Sequence, residues 1–444
     1  MTIEFDEEMV RRASEGRPAA LRRIKHRLAE LPPTEAFDIF RASLKSYERT
    51  VLRQTTAASQ QAHAMAYAKH YIETARAGIA FVNQAPQVIG TGNQRDLVWQ
   101  TRTAYLSCFE NAKVWGGSAV VEAAGAALFD FEDWELASVK EHFEYDPRIF
   151  RSSAANIYYI DDGAARPDIV LDRAFPLLGP HTRAFGDWLW GFLPKFGAAL
   201  QTGRLPPVTV LVEDYIAPTQ KESIERMLPP NSDLLTIGFN VCCQARELWC
   251  APSLLYMPVW PDPDLINWDS EASHPERWTT AIAAMAAPFR TSPGVATTGR
   301  RLFLSRRQQP RRQMLNWPEV ETLCAGLGFD IIIPETLSFA EQVAAVRSAD
   351  YIVGPDGSAF FLCYYARPGT KICLLSHPEL EGVAAFTAPL DAIGIEPVIF
   401  TGPFAEKHPQ FSWWSEYAID CGELERFLRQ WLASNTPSQH ERSR

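Results

Sequence analysis

From residue 302 onward, short apolar runs alternate with helix-length amphipathic segments, and no other feature limits the fold so tightly. Leu302-Phe-Leu-Ser, Phe329-Asp-Ile-Ile-Ile, Tyr351-Ile-Val-Gly and Lys371-Ile-Cys-Leu-Leu are too short for helices and lack the polar alternation of a half-exposed strand. Such runs suit strands covered on both faces, the condition of a parallel sheet. Between them Trp317–Leu327, Phe339–Ser348 and Ser358–Ala366 read as helices, and Gly422–Leu432 closes the series. This alternation predicts a doubly wound, Rossmann-like α/β domain. A second β-α-β pattern lies upstream, in Val208-Thr-Val-Leu-Val, Gln220–Met227 and Leu234-Leu-Thr-Ile-Gly. Earlier still, Lys113–Val121 and Ala124–Phe129 read as strands broken at glycines.

The first 80 residues have a different texture. Leu21, Ile24 and Leu28 lie at helical spacing, with Arg22, Arg23, Lys25 and Arg27 expected to face outward, and Pro32-Pro33 stop the helix. Phe37, Phe40 and Leu44 mark a second helix, and the Ala- and Gln-rich Ala57–Ala77 a third, with His63 and His70 on one face. The predicted organisation is a helical extension over 1–82, an α/β domain over 83–290, a Rossmann-like domain over 291–433 and a polar tail over 434–444. Two α/β domains facing a cleft provide the usual place for a ligand.

Composition narrows the class. Apolar residues at 46% and charged ones at 22% exclude wholesale disorder. A net charge of −10 argues against a nucleic-acid binder, although residues 1–80 carry 13 Lys/Arg against 10 Asp/Glu. Eight cysteines without a C-x-x-C pair suit buried thiols in a reducing compartment. No apolar stretch approaches the roughly 20 residues of a membrane span, and the acidic start lacks an export signal. The expectation is a soluble, cytoplasmic, multidomain protein, with peripheral membrane contact and oligomeric state left open.

The densest chemical signal is Arg300-Arg301-Leu-Phe-Leu-Ser305-Arg306-Arg307-Gln-Gln-Pro-Arg311-Arg312, six arginines and no acid in thirteen residues. Ser305 and Arg306 fall at the carboxyl end of a strand, where α/β sheets bind ligands. Guanidinium groups grip phosphate through paired hydrogen bonds. The next signal, Gly354-Pro355-Asp356-Gly357-Ser358-Ala359, turns from a strand into a helix whose first N–H groups suit a diphosphate. Glu335, after the strand between them, could hold ribose hydroxyls or merely cap a helix. Asp187 stands where it could cap an aromatic-rich helix. Asp262 and Asp264 have the spacing of a metal-holding pair but are flanked by prolines, and no G-x-S-x-G elbow exists.

Taken together these residues resemble the family-61 glycosyltransferases, whose bacterial members are often capsular polysaccharide biosynthesis proteins. The resemblance runs from about Thr103 to Gly422. It rests on Ser305-Arg306, Arg312 with Asn316 and Glu319, Gly328-Phe329, Pro334-Glu335, Ser338, Glu341-Gln342 and Gly354–Ser358, with Phe185-Gly-Asp187-Trp188-Leu189 and Leu193-Pro194 upstream. Two family histidines are replaced here, by Asp187 before Trp188 and by Asp356 in the glycine turn. The resemblance implies a GT-B-like pair of Rossmann-type domains, with 83–290 on the acceptor side and 291–433 binding a nucleotide sugar. It implies inverting transfer of a hexosyl, pentosyl or N-acetylhexosaminyl group to an acceptor hydroxyl of a glycan or glycoconjugate. Asp187 and Asp356 would be the catalytic carboxylates. Ser305, Arg306, Arg311, Arg312, Glu335, Gln342, Gly357, Ser358 and Ala359 would hold the donor, with no metal and no cofactor. Three alternatives remain open: a metal-dependent transferase using Asp262 and Asp264, a non-catalytic glycan-binding or assembly protein, and a nucleotide-sugar hydrolase or epimerase.

Overall fold

The computed structural model describes residues 5–55, 58–76, 80–83, 85–92, 96–100, 103–129, 145–152, 157–163, 165–254, 275–289, 299–309, 312–379, 387, 389–391, 393–408 and 415–434. The chain divides into two compact units, Met1–Phe81 with Val98–Pro288, and Val82–Leu97 with Phe289–Arg444. The mixed α/β character expected from the sequence is present in both.

In the unit containing the C-terminal half, the apolar runs become the strands Arg301–Leu304, Phe329–Ile332, Tyr351–Pro355 and Lys371–Ser376, joined by Pro397–Thr401 and Gln87–Ile89. Every pairing among these six strands is parallel. The strand at 301 lies between those at 329 and 351, which pair with it in register (Arg301↔Phe329 and Arg301↔Tyr351). Helices follow because a parallel connection must cross back over a face of the sheet. Phe339–Ser348 begins with a reciprocal cap: Ser338 Oγ accepts the Glu341 N–H at 3.3 Å, and the Glu341 carboxylate accepts the Ser338 N–H at 2.8 Å. Such a cap is worth about 1 kcal/mol. The closing helix Cys421–Ser434 buries Leu424, Leu428 and Leu432 on one face, against a core that includes Phe303, Val320 and Val353. The strand Gln87–Ile89 takes an edge position from far upstream in the chain. Residues 82–97 therefore group with this unit, whereas the sequence reading put 83–97 in the 83–290 domain.

The other unit is built on a mixed sheet. Four strands, Asp233–Ile237, Thr209–Glu213, Ile169–Pro176 and Cys242–Cys250, run parallel in that order. The antiparallel strand Ala104–Trp115 follows, then Val121–Ala123. The predicted β-α-β is present, with Pro218–Glu225 as its helix.

The N-terminal helices Glu7–Ser14, Pro18–Arg27 and Pro33–Ser43 form as expected, and bury Leu21, Ile24, Leu28, Phe37 and Phe40. They are not a freestanding extension. Their apolar face packs on Phe150 and Ile160, in a three-stranded sheet made by Val51–Thr55, Ile157–Asp161 and Ile149–Ser152. Lys25, expected to face solvent, is buried, and its ammonium donates to the Asp146 carbonyl at 2.6 Å and to the Ile149 carbonyl. The expected third helix is reduced to Gln60–Tyr67, and His70–Ala75 is a strand paired with Ala104–Trp115. His63 and His70 thus lie on different elements and share no helix face. The physical reason is local: β-branched and aromatic residues around Tyr71-Ile72 favour pairing with a long apolar strand over a solvated helix.

Candidate functional site

At the carboxyl edge of the parallel sheet in the C-terminal unit, Ser305 and Arg306 leave the strand Arg301–Leu304, as the run of arginines predicted. Ser305 is fully buried; its N–H donates to Ile332 O at 2.8 Å and its hydroxyl donates to the Glu321 carboxylate. Glu321 also receives Arg307 Nη1 at 3.1 Å. In this structure the Ser305 hydroxyl is engaged within the fold. What it secures is the course of the next residue.

Arg306 lies against the glycine turn. A Cβ placed at Gly357 would sit 2.3 Å from Arg306 Nε, so only glycine lets the guanidinium rest on this backbone. Its Nη1 donates to Arg312 O at 2.7 Å. Burial, then the charge of Arg312, pull the Arg306 guanidinium below its ordinary pKa. Arg312 itself adopts a left-handed backbone, φ 53°, a conformation costing a non-glycine residue about 1–2 kcal/mol. That bend carries its Nη1 to 3.6 Å from Asp356 Oδ2. Arg306, Arg312, Asp356 and Gly357 are thus brought together from two strand ends. Arg311 lies outside the described residues, as do Asp262 and Asp264.

Ser358 and Ala359 open a 3₁₀ helix, Ser358–Tyr365, directly after Gly357. By position their N–H groups fall outside its hydrogen-bond ladder. A small open pocket borders this edge, lined by Arg306, Arg307, Arg312, Trp317, Glu321 and Pro355. The Arg307 guanidinium stands 5.7 Å over the Trp317 ring. Three cations with one carboxylate make the pocket anion-seeking, and a planar indole offers a stacking face.

Two expected donor residues have other work. Gln342 is buried, and its amide donates to Pro334 O at 2.8 Å and Leu337 O at 3.2 Å, so it braces a turn. Glu335 in that turn is exposed and accepts from Gln309 Nε2 at 2.5 Å. It sits after its strand, as expected, tied to the arginine loop rather than capping the next helix, whose cap is Ser338.

His377 escaped the sequence reading. It follows the strand Lys371–Ser376, the next one along the sheet from Tyr351–Pro355, and is 2% exposed. The signal was available: the rule that singled out Arg306 after its strand applies equally here.

In the other unit, Asp187 is the third residue of the turn Phe185–Asp187, whose N-cap is Ala184. Asp187 directly precedes the aromatic segment Trp188–Phe192, but its side chain makes no cap hydrogen bond there. Its carboxylate is half-buried and accepts Trp190 Nε1 at 3.2 Å. The chain continues through a wide π turn, Trp188–Phe192, which leaves Trp188 free to donate to Ser223 Oγ at 2.8 Å inside the core. Glu213, also missed, ends the parallel strand Thr209–Glu213 and is fully buried. One carboxyl oxygen accepts Gly179 N–H at 2.7 Å and Gly117 N–H at 3.3 Å. Burial pushes this carboxyl up to about 8, so it is held protonated at neutral pH.

Among the described residues no group of three or more metal-ligating side chains forms, and no helix is long and apolar enough to cross a membrane. No curated protein matches the chain. Residues 185–373, from the Asp187 turn through the arginine loop to the strand beside the glycine turn, match the family model Glycosyltransferase 61, which supports a glycosyltransferase role for this chain.

Proposed function

We propose that the protein transfers a sugar from a nucleotide-sugar donor to an acceptor hydroxyl of a glycan or glycoconjugate, with inversion and without a metal, in bacterial surface polysaccharide synthesis. The observation that carries this reading is the convergence of Arg306, Arg312 and the Gly357 turn at one sheet edge inside the family-61 match. In the proposed reaction the acceptor oxygen bonds to the anomeric carbon from the face opposite the leaving group. The bond from that carbon to the β-phosphate oxygen breaks, and the nucleoside diphosphate departs with the electron pair. Arg306 and Arg312, with the Ser358 and Ala359 N–H groups, would stabilise the charge growing on it. Arg311 belongs to the same proposed anion site. Asp187 would take the acceptor proton, and Asp356 would stand beside the phosphates. Arginines and a helix start supply the positive charge that other transferases draw from a metal. A GT-B-like pair of Rossmann-type domains and a cytoplasmic setting belong to the same proposal; the eight free cysteines suit a reducing compartment.

The test is calorimetric titration of the full chain with ADP, CDP, GDP and UDP, followed by a product assay with the matching nucleotide sugars, with and without a glycan acceptor. Saturable binding of at least one diphosphate and acceptor-dependent transfer are expected. Release of free sugar without acceptor would favour a hydrolase, and binding without turnover a non-catalytic role.

A further inference from the structure

The donor site as proposed contains a difficulty, and the structure supplies the group that resolves it. Asp356 puts a carboxylate on the edge where a diphosphate would lie, partnered by Arg312 at a separation of 3.6 Å. Like charges brought together in a partly desolvated site repel strongly. Directly across the strand pair, the Asp356 N–H donates to Leu375 O at 2.8 Å, and two residues later the chain reaches His377. The His377 ring is packed 5.0 Å from Phe404 and 6.2 Å from Tyr417. Both of its ring nitrogens are buried and have no hydrogen-bond partner among the described residues. Native interiors rarely leave a polar side chain in that state.

We infer that His377 takes up a proton when a nucleoside diphosphate binds at the Arg306–Arg312–Gly357 edge, so that an imidazolium just past the strand paired with that of Asp356 offsets the carboxylate the phosphates would meet. The inference rests on the donor-site reading. It makes His377 a positioning residue, acting through Asp356.

The charges around the ring set the direction of the effect. Burial lowers the pKa of the imidazole and keeps it neutral without ligand. Asp356 and Glu379 favour its charged form, while Arg312 and Lys407 oppose it. Glu379 and Lys407 are paired with each other and act on the ring with opposite sign, away from the groups proposed to hold the diphosphate. The balance then lies between Asp356 and Arg312, the two groups that a diphosphate engages directly. An arriving anion neutralises Arg312 and adds negative charge, and both changes raise the affinity of the imidazole for a proton. A neutral imidazole has one N–H; the cation has two, and can donate from both nitrogens. A histidine serving only as packing against Phe404 and Tyr417 would show none of this.

The experiment measures protons. The full chain and its His377→Gln and His377→Phe variants are titrated with ADP, CDP, GDP and UDP near neutral pH, in two buffers of different ionisation enthalpy. The diphosphate's own titration is common to all three proteins and cancels in the comparison. The wild type should take up several tenths of a proton more per bound diphosphate than either variant. Its affinity should also fall more steeply with rising pH, by up to about tenfold per pH unit where a full proton is linked. In parallel, ¹⁵N spectra of histidine-labelled wild type should show one imidazole that is neutral alone and protonated with diphosphate, a readout that needs no variant to fold. Binding with equal proton counts in all three proteins, or with no imidazole changing state, overturns the inference while leaving the donor site standing. Failure of the wild type to bind any of the four diphosphates overturns the donor-site reading itself, and this inference with it.

Discussion

Replacing Glu213 by Gln should make the protein more stable above neutral pH, and the reason is buried at the end of one strand. The Glu213 carboxyl is fully buried, one oxygen serving the Gly117 and Gly179 N–H groups. Burial raises its pKa from 4.5 to about 8. Between those values the unfolded chain has lost the proton and the folded chain keeps it, so stability falls as pH rises from about 4.5 to about 8 and then levels off. At 1.36 kcal/mol per unit, a shift of this size corresponds to about 3–5 kcal/mol across the window. Gln keeps the accepting oxygen for both glycines and cannot ionise. Urea unfolding followed by tryptophan fluorescence, from pH 5 to pH 9, should therefore show the two proteins nearly equal at the acid end and diverging toward the alkaline end, with Gln the more stable. Parallel stability profiles would mean that Glu213 ionises in the fold without cost, and would refute the argument.

Arg306→Ala should weaken diphosphate binding by about 1.5–3 kcal/mol, the range for a hydrogen bond to a charged group, measured by calorimetry. Arg307→Ala should cost less, because Arg307 is already paired with Glu321. Gly357→Ala should weaken the same binding at least tenfold, since the new methyl would occupy the place of the Arg306 guanidinium; unchanged affinity would separate the turn from the site. Asp187→Asn keeps an oxygen for Trp190 Nε1 but cannot accept a proton. Turnover should drop by ~10²–10⁴ with donor affinity unchanged, and near-normal turnover would leave Asp356 as the candidate base.

Much of the C-terminal unit was legible because its signals are local. A continuous apolar run such as Lys371-Ile-Cys-Leu-Leu has one way to bury both faces, and the turn after it must then fall at the sheet edge. The same reasoning expects Arg306 and the Gly357 turn just past two strands, where the structure has them, and it extends one strand further to His377. It could not show that the Ser305 hydroxyl donates to Glu321, or that the Gln342 amide donates to the Pro334 and Leu337 carbonyls. No periodicity reveals such bonds.

The amino-acid sequence by itself determined where strands and helices alternate in the C-terminal unit, which residues of the first helices are apolar, and that an arginine run and a glycine turn each follow a strand. These depend on side-chain period, volume and backbone freedom within a few residues. Tertiary structure alone decided that Gln87–Ile89 joins a sheet whose other strands begin at residue 301, and that the N-terminal helices close over Phe150 and Ile160. It also decided that Lys25 is buried against backbone carbonyls and that Glu213 keeps its proton. Each of these depends on partners distant in the chain, whose desolvation and hydrogen bonding exist only once the chain has packed.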